Sequence, residues 1–82
     1  MYPTYRLEVH TDEGWQQVEG TEASNRPHHY DVLRAEFDSL VRSAKPLRAH
    51  FVSGFGYRIT SNGRPVDSWM AHKVDSHLRD ER

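Results

Sequence analysis

The run Ser53-Gly54-Phe55-Gly56-Tyr57-Arg58-Ile59-Thr60-Ser61-Asn62-Gly63-Arg64-Pro65-Val66 reads as strand, tight turn and returning strand. Asn62-Gly63 between Ile59 and Val66 suits a type I′ hairpin, whose two central residues need positive φ, a conformation that Asn tolerates and Gly adopts without steric cost. With this turn as the pin, Ile59 is expected opposite Val66, Arg58 opposite Asp67 and Thr60 opposite Pro65. That register makes one face apolar and gives the other a cross-strand ion pair between Arg58 and Asp67. Thr60 and Pro65 form a pair without mutual hydrogen bonds, so the N–H that proline lacks would point away from the partner strand. Pro65 therefore marks a sheet edge.

Working outward, Tyr5, Leu7 and Val9 alternate with Arg6, Glu8 and His10, the period of a strand with one buried face. Thr11-Asp12-Glu13-Gly14 supplies a turn and Trp15 to Glu19 the returning strand. Trp15 and Val18 have opposite parity, so this strand either carries a bulge or exposes one of them; a buried Trp15 is the expectation. Gly20 to Pro27 is polar and rich in turn residues. Tyr30, Leu33, Phe37, Leu40, Val41 and Ala44 then fall at helical spacing in one apolar stripe. Ser24 or Asn25, with Pro27 in the first turn, competes with Asp31 as the helix cap, and Pro46 stops the helix near Ala44. Arg34, Asp38 and Arg42 line its solvated side, with Asp38 and Arg42 as i,i+4 partners.

Leu47, Ala49 and Phe51 alternate with Arg48 and His50 as a third strand. Tyr57 and Ile59 share a face of the fourth, and Arg64 to Val66 form a short edge extension. Beyond Val66 the period turns helical through Trp69, Met70, Lys73, Val74, His77 and Leu78, with Asp67 or Ser68 as cap. The order is β-β-α-β-β with a C-terminal helix: an α+β fold in which a small antiparallel sheet is covered by one amphipathic helix. Tyr5, Leu7, Val9, Leu33, Phe37, Leu40, Val41, Phe51, Tyr57 and Ile59 form the expected core.

Composition bounds what such a chain does. Its 82 residues suit one domain, 1–82, with a small core. The hydrophobic fraction is 35%, and adding the five glycines leaves it below the roughly 45–50% usual for globular domains. A homodimer that buries further surface and a folded monomer both satisfy these limits. The formal net charge of −1 lacks the basic field of a non-specific nucleic-acid or membrane binder. No cysteine is present, which removes disulfides, zinc-thiolate sites and thiol nucleophiles. The N-terminus lacks an apolar leader segment and no window approaches a membrane span, so a cytoplasmic location is expected.

Gly54-Phe55-Gly56-Tyr57 resembles the RNP1 segment of RNA-recognition motifs, in which strand aromatics stack bases. The match covers four of about eight positions. Ser53 stands where a basic residue belongs, Arg58 replaces an aliphatic and Thr60 an aromatic, and the element order differs. Ordinary hairpin glycines explain the same residues. Arg48, Phe55, Tyr57 and Arg58 are the candidate residues of this nucleic-acid reading. The six histidines read as surface residues: His28 and His29 diverge on a helix, His72 and His77 are not an i,i+4 pair, and His10 and His50 lie on polar strand faces. Ser39, Ser43, Ser53, Ser61 and Ser68 lack a nucleophile elbow, and Gly54-x-Gly56 opens a strand instead of a phosphate-binding helix. The expectation is a non-enzyme without metal or cofactor.

Binding through surface side chains remains. Trp69 and Met70, just after an edge strand, are of the type that anchors interfaces, although Trp69 equally suits packing a helix on the sheet. The pattern Tyr5-Arg6-Leu7-Glu8-Val9, Gly14-Trp15-Gln16-Gln17-Val18, an Arg-containing amphipathic helix with Leu33 and Leu40, then Leu47-Arg48-Ala49-His50-Phe51-Val52, resembles short orphan proteins of actinobacterial phages and their hosts. That resemblance implies a non-enzymatic accessory factor, a modulator or inhibitor of a host protein, and assigns no residue. The reading is a protein–protein interaction module whose partner, a bacterial host protein, meets Arg64, Pro65, Val66, Trp69, Met70 and Lys73. Nucleic-acid binding is the second reading.

Overall fold

Two tight turns and one apolar stripe organise the chain. The computed structural model describes residues 2–44 and 55–71. Strand β1 (Tyr5–Thr11) returns as β2 (Gly14–Gln17), helix α1 (His29–Ala44) follows, and β3 (Gly56–Ser61) returns as β4 (Arg64–Met70). The sheet is antiparallel with strand order β2-β1-β3-β4, so β1 and β3, which belong to different hairpins, lie side by side in its centre. The fold is α+β, and the expected β-β-α-β-β order holds. The expected third strand at Leu47 to Phe51, with Phe51 of the expected core, lies outside the described residues; β4 takes the fourth place among the strands instead.

The hairpin turns behave as their residues dictate. Asn62 and Gly63 have φ of 51° and 84°, the left-handed pair a type I′ turn requires. Asn62 also clamps the N-terminal segment: its side-chain oxygen accepts the Thr4 N–H at 2.9 Å, and its own N–H donates to the Thr4 carbonyl at 2.8 Å. In the first hairpin, Thr11 Oγ1 accepts the Glu13 N–H at 3.1 Å and donates to the Gly14 carbonyl at 3.2 Å.

Alternation along β1 and β3 puts Leu7 opposite Ile59 beneath α1, where Leu33, Phe37 and Val41 close the core. Leu7 and Ile59 are both fully buried, each such side chain contributing about 1.5–3 kcal/mol. Tyr5, Val18, Tyr30, Leu40, Tyr57 and Trp69 pack around this centre. Val18 therefore takes the core side after β2, its N–H donating to the Leu7 carbonyl at 3.0 Å. Trp15, expected to be buried, lies opposite His10 on the other face and is half-buried.

Three further expectations are corrected. Thr60 pairs with Pro65 as expected, but Ile59 pairs with Asp67 and Arg58 with Ser68, because a bulge inserts Val66 as an extra residue. The Arg58–Asp67 ion pair consequently does not form; Arg58 meets Glu8 across β1 and β3 instead. One extra residue reverses the facing of every side chain beyond it, which carries Asp67 and Trp69 to the helix side. Strand β4 also runs on to Met70, so Asp67 and Ser68 are strand residues and not helix caps; residues 72–82 of the expected C-terminal helix lie outside the described residues.

Helix α1 ends at Ala44 as expected, yet its cap is none of the three candidates. His28, at φ 69°, caps it through its carbonyl, which accepts the N–H groups of Asp31 and Val32. Ser24 is committed elsewhere, exchanging backbone hydrogen bonds with Tyr5 at 2.9 and 3.1 Å and accepting the Arg26 N–H on its hydroxyl. On the helix surface Asp38 pairs with Arg34 at 3.0 Å and not with Arg42.

Candidate interaction edge and adjoining cavity

Strand β4 forms one edge of the sheet, with no strand beyond it among the described residues. Its hydrogen-bonding phase is fixed at both ends. The Asn62-Gly63 turn makes Ser61 and Arg64 a bonded pair, and Ala71 N–H donates to the Phe55 carbonyl at 2.7 Å. Alternation from that second bond places Gly56–Met70 and Arg58–Ser68 in pairs without mutual hydrogen bonds. The backbone N–H and C=O groups of Ser68 and Met70 accordingly face outward. Arg64, Pro65 and Val66 are exposed, Val66 at 50%. Trp69 is half-buried and stacks on Tyr57 with centroids 6.3 Å apart, packed against the core. Met70 lies over Gly56, where a Cβ would collide with the Met70 sulfur and the Trp69 carbonyl. Lys73 lies outside the described residues.

The residues of the nucleic-acid reading divide between faces. Phe55 and Tyr57 pack edge to face at 5.3 Å, with Tyr57 on the helix side. Arg58 points to the opposite face, 4.1 Å over the Trp15 ring, and Arg48 lies outside the described residues. That opposite face holds a buried charge. Glu8 is only 8% exposed, yet its carboxylate accepts from Arg58 Nε at 2.7 Å and faces Arg6 Nε at 3.3 Å. The His10 ring packs 4.8 Å from Trp15 beside this cluster.

On the helix side, Asp67 ties the edge strand to α1. One carboxylate oxygen accepts the Tyr30 hydroxyl and the other accepts Arg34 Nη1 at 2.9 Å. The hydrogen bond to Asp67, followed by burial, holds the Tyr30 phenol above its ordinary range, and burial raises that of Tyr57. A pKa raised by folding contributes stability that is complete below the unfolded value, near pH 10, and is lost as pH rises through the folded value. Unfolding free energy is therefore expected to fall above about pH 10. In Asp67→Asn the Tyr30 ring should titrate closer to its ordinary range, read from its carbon chemical shifts against pH. A Tyr30 transition unmoved by that substitution would deny Asp67 this role.

Beside the first turns of α1 also lies a cavity of about 640 Å³, between them and the Gly20–Glu22 turn. Glu19, Glu22, His29, Val32, Leu33 and Glu36 are among its walls. His29, expected at the surface, is buried: its Nε2 lies 2.7 Å from the Glu22 carbonyl oxygen, which draws the ring under the turn. The sequence signal for this was weak, since adjacent histidines in a polar loop resemble any solvated pair and the left-handed φ of His28 has no local signature.

Among the described residues no group of three His, Asp or Glu side chains is placed to hold a metal ion. None of their helices is long and apolar enough to cross a membrane. The described residues define a small α+β domain whose antiparallel sheet has β2 and β4 as its outer strands among them. No protein-family model matches the chain, and comparisons with curated proteins and with solved structures find no match.

Proposed function

We propose that this protein is a non-enzymatic interaction module that binds another protein by adding an extended segment of it to the β4 edge. The outward-facing amides of Ser68 and Met70 carry this reading, because an exposed strand edge with free donors and acceptors is the template for β-strand addition. Arg64, Pro65 and Val66 supply exposed side chains along the same strand, and the bulge leaves Val66 turned to solvent. Pro65 confines pairing to the Val66–Met70 half of the edge, since it offers no N–H. Trp69 supports the surface from beneath instead of projecting from it. In the phage setting that the sequence style implies, the partner is a cytoplasmic host protein, and binding acts by occlusion.

Ser68→Pro removes one outward N–H without touching a bond to β3. A tagged pull-down from an actinobacterial lysate, with nuclease present, is expected to recover a stoichiometric protein with the wild type and none with Ser68→Pro. The variant's amide spectrum should keep the β1–β3 and β3–β4 pairings. Capture that survives Ser68→Pro, or that vanishes with nuclease, would refute the reading; the latter outcome would turn attention to the nucleic-acid alternative.

A further inference from the structure

We propose that Asn62 is a self-modification site: the backbone nitrogen of Gly63 converts its carboxamide, through a cyclic imide, to aspartate and isoaspartate, and Thr4 gates the reaction. Asn62 and Gly63 are both exposed at the tip of the β3–β4 turn. Glycine leaves the attacking nitrogen uncrowded, since even an added Cβ at Gly63 would meet nothing within 4 Å. The Gly63 N–H has no backbone acceptor among the described residues. The electrophile is Asn62 Cγ, whose Oδ1 accepts the Thr4 N–H at 2.9 Å. As the bond from Gly63 N to Cγ forms, the bond from Cγ to Nδ2 breaks, and the carboxamide nitrogen leaves as ammonia with the proton that Gly63 gives up. Water then opens the imide on either side of its nitrogen. Cleavage at Cγ gives aspartate, and cleavage at the main-chain carbonyl gives isoaspartate; nothing is oxidised or reduced.

The closed turn withholds this reaction. Forming a five-membered imide requires Gly63 N and Asn62 Cβ to lie nearly eclipsed about the Cα–C bond of Asn62. The first central residue of a type I′ turn has ψ of about 30°, which sets those two atoms nearly anti. Asn62 at φ 51° and Gly63 at φ 84° hold that geometry. Attack therefore needs a large rotation about the Asn62 ψ, and Thr4 resists it from two sides: its N–H holds Oδ1, and its carbonyl accepts the Asn62 N–H at 2.8 Å. Each bond adds to the free energy of opening, so modification proceeds only through molecules in which Thr4 has let go. The two products then differ. Aspartate keeps a side-chain oxygen for the Thr4 N–H, whereas isoaspartate lengthens the main chain by a carbon where a two-residue turn has no room, so the turn cannot reclose. The chain's other asparagine, Asn25, precedes Arg26, whose side chain crowds the nitrogen, and is an internal control.

The test is incubation of the whole chain in mildly alkaline buffer, native and in concentrated urea, with conversion at each asparagine read by peptide mass spectrometry and isoaspartate separated from aspartate by chromatography. In urea, conversion is expected at Asn62 well ahead of Asn25; in the native chain, Asn62 should convert at least about tenfold more slowly. Gly63→Ala crowds the attacking nitrogen and is compared in urea, where its effect on folding does not enter; it should slow conversion at Asn62 several-fold. Thr4→Pro removes the N–H that holds Oδ1 and keeps the carbonyl, so it should speed native conversion several-fold and leave the rate in urea unchanged. A variant-free measurement stands beside it: exchange protection of the wild-type Thr4 amide should match the native slowing to within a few-fold, since one opening governs both. Equal rates in native buffer and urea, faster conversion at Asn25, Gly63→Ala converting as fast as the wild type in urea, an unmoved native rate in Thr4→Pro, or an unprotected Thr4 amide beside slow conversion would each overturn the proposal.

Discussion

Ile59→Ala is expected to remove about 3–4 kcal/mol of unfolding free energy. A domain of this size holds roughly 5–10 kcal/mol in total, so the variant should stay folded in water but lose a third or more of its stability and unfold at much lower urea. Ile59 is fully buried in β3, with β1 on one side and β4 on the other, and its neighbours Leu7, Leu33, Phe37 and Val41 come from β1 and α1. A cavity there is walled by an interior strand, held by ladder bonds on both sides, and by α1, which Tyr30 and Arg34 tie to Asp67 of β4. The site cannot collapse, and the cost falls in the upper half of the range for such truncations. Val66→Ala is the matched control: Val66 is 50% exposed at the bulge and should change stability by no more than about 0.5 kcal/mol. Urea unfolding measures both, with the slope against denaturant unchanged if the denatured state is unaltered. A loss below about 1 kcal/mol for Ile59→Ala would mean that the core is not organised around the β1–β3 pair.

The contrast between Ile59 and Val66 also shows which parts of the fold were legible in the residues. Their opposition was expected from the turn alone, and the turn was read correctly because positive φ at Asn62 and Gly63 is a local property. The bulge was not legible, since it is set by groups distant in sequence: Tyr30 and Arg34 of α1 reach Asp67, and Tyr57 stacks on Trp69, only if one residue is inserted between Pro65 and Asp67. The α1 stripe was likewise local and readable to its end at Ala44. Its start was obscured because Ser24, a good cap by residue type, is bonded to Tyr5 in the sheet. Beyond Val66 the residues are ambiguous, since Trp69 and Met70 fit a helical spacing as well as the strand that runs to Met70. Of the candidate surface, Pro65 as an edge marker was visible from its missing N–H. The outward amides of Ser68 and Met70 follow only from the bulged register.

Arg58→Met should cost about 2–3 kcal/mol, less than the 3–5 kcal/mol typical of breaking a fully buried ion pair because the Arg58 side chain keeps 23% of its exposure. Methionine preserves most of the aliphatic stem over Trp15 but removes the charge that Glu8 faces at 2.7 Å. What remains for the Glu8 carboxylate is Arg6 Nε at 3.3 Å, on a side chain 45% exposed. The penalty therefore arises mainly from an under-compensated buried carboxylate and only secondarily from the lost attraction. Replacing both partners, Glu8→Leu with Arg58→Met, removes that carboxylate and should restore stability to within about 1 kcal/mol of the wild type. A double-mutant cycle by urea unfolding would then show a coupling energy of about 2 kcal/mol between two residues 50 positions apart in sequence. Because β1 and β3 are distant in sequence and meet only by pairing in the sheet, such coupling would tie the pair to the β1–β3 register, in which Glu8 stands opposite Arg58. A coupling near zero, or an Arg58→Met variant as stable as the wild type, would show that Arg6 and solvent suffice for Glu8 and that this pair does not hold the two central strands in register.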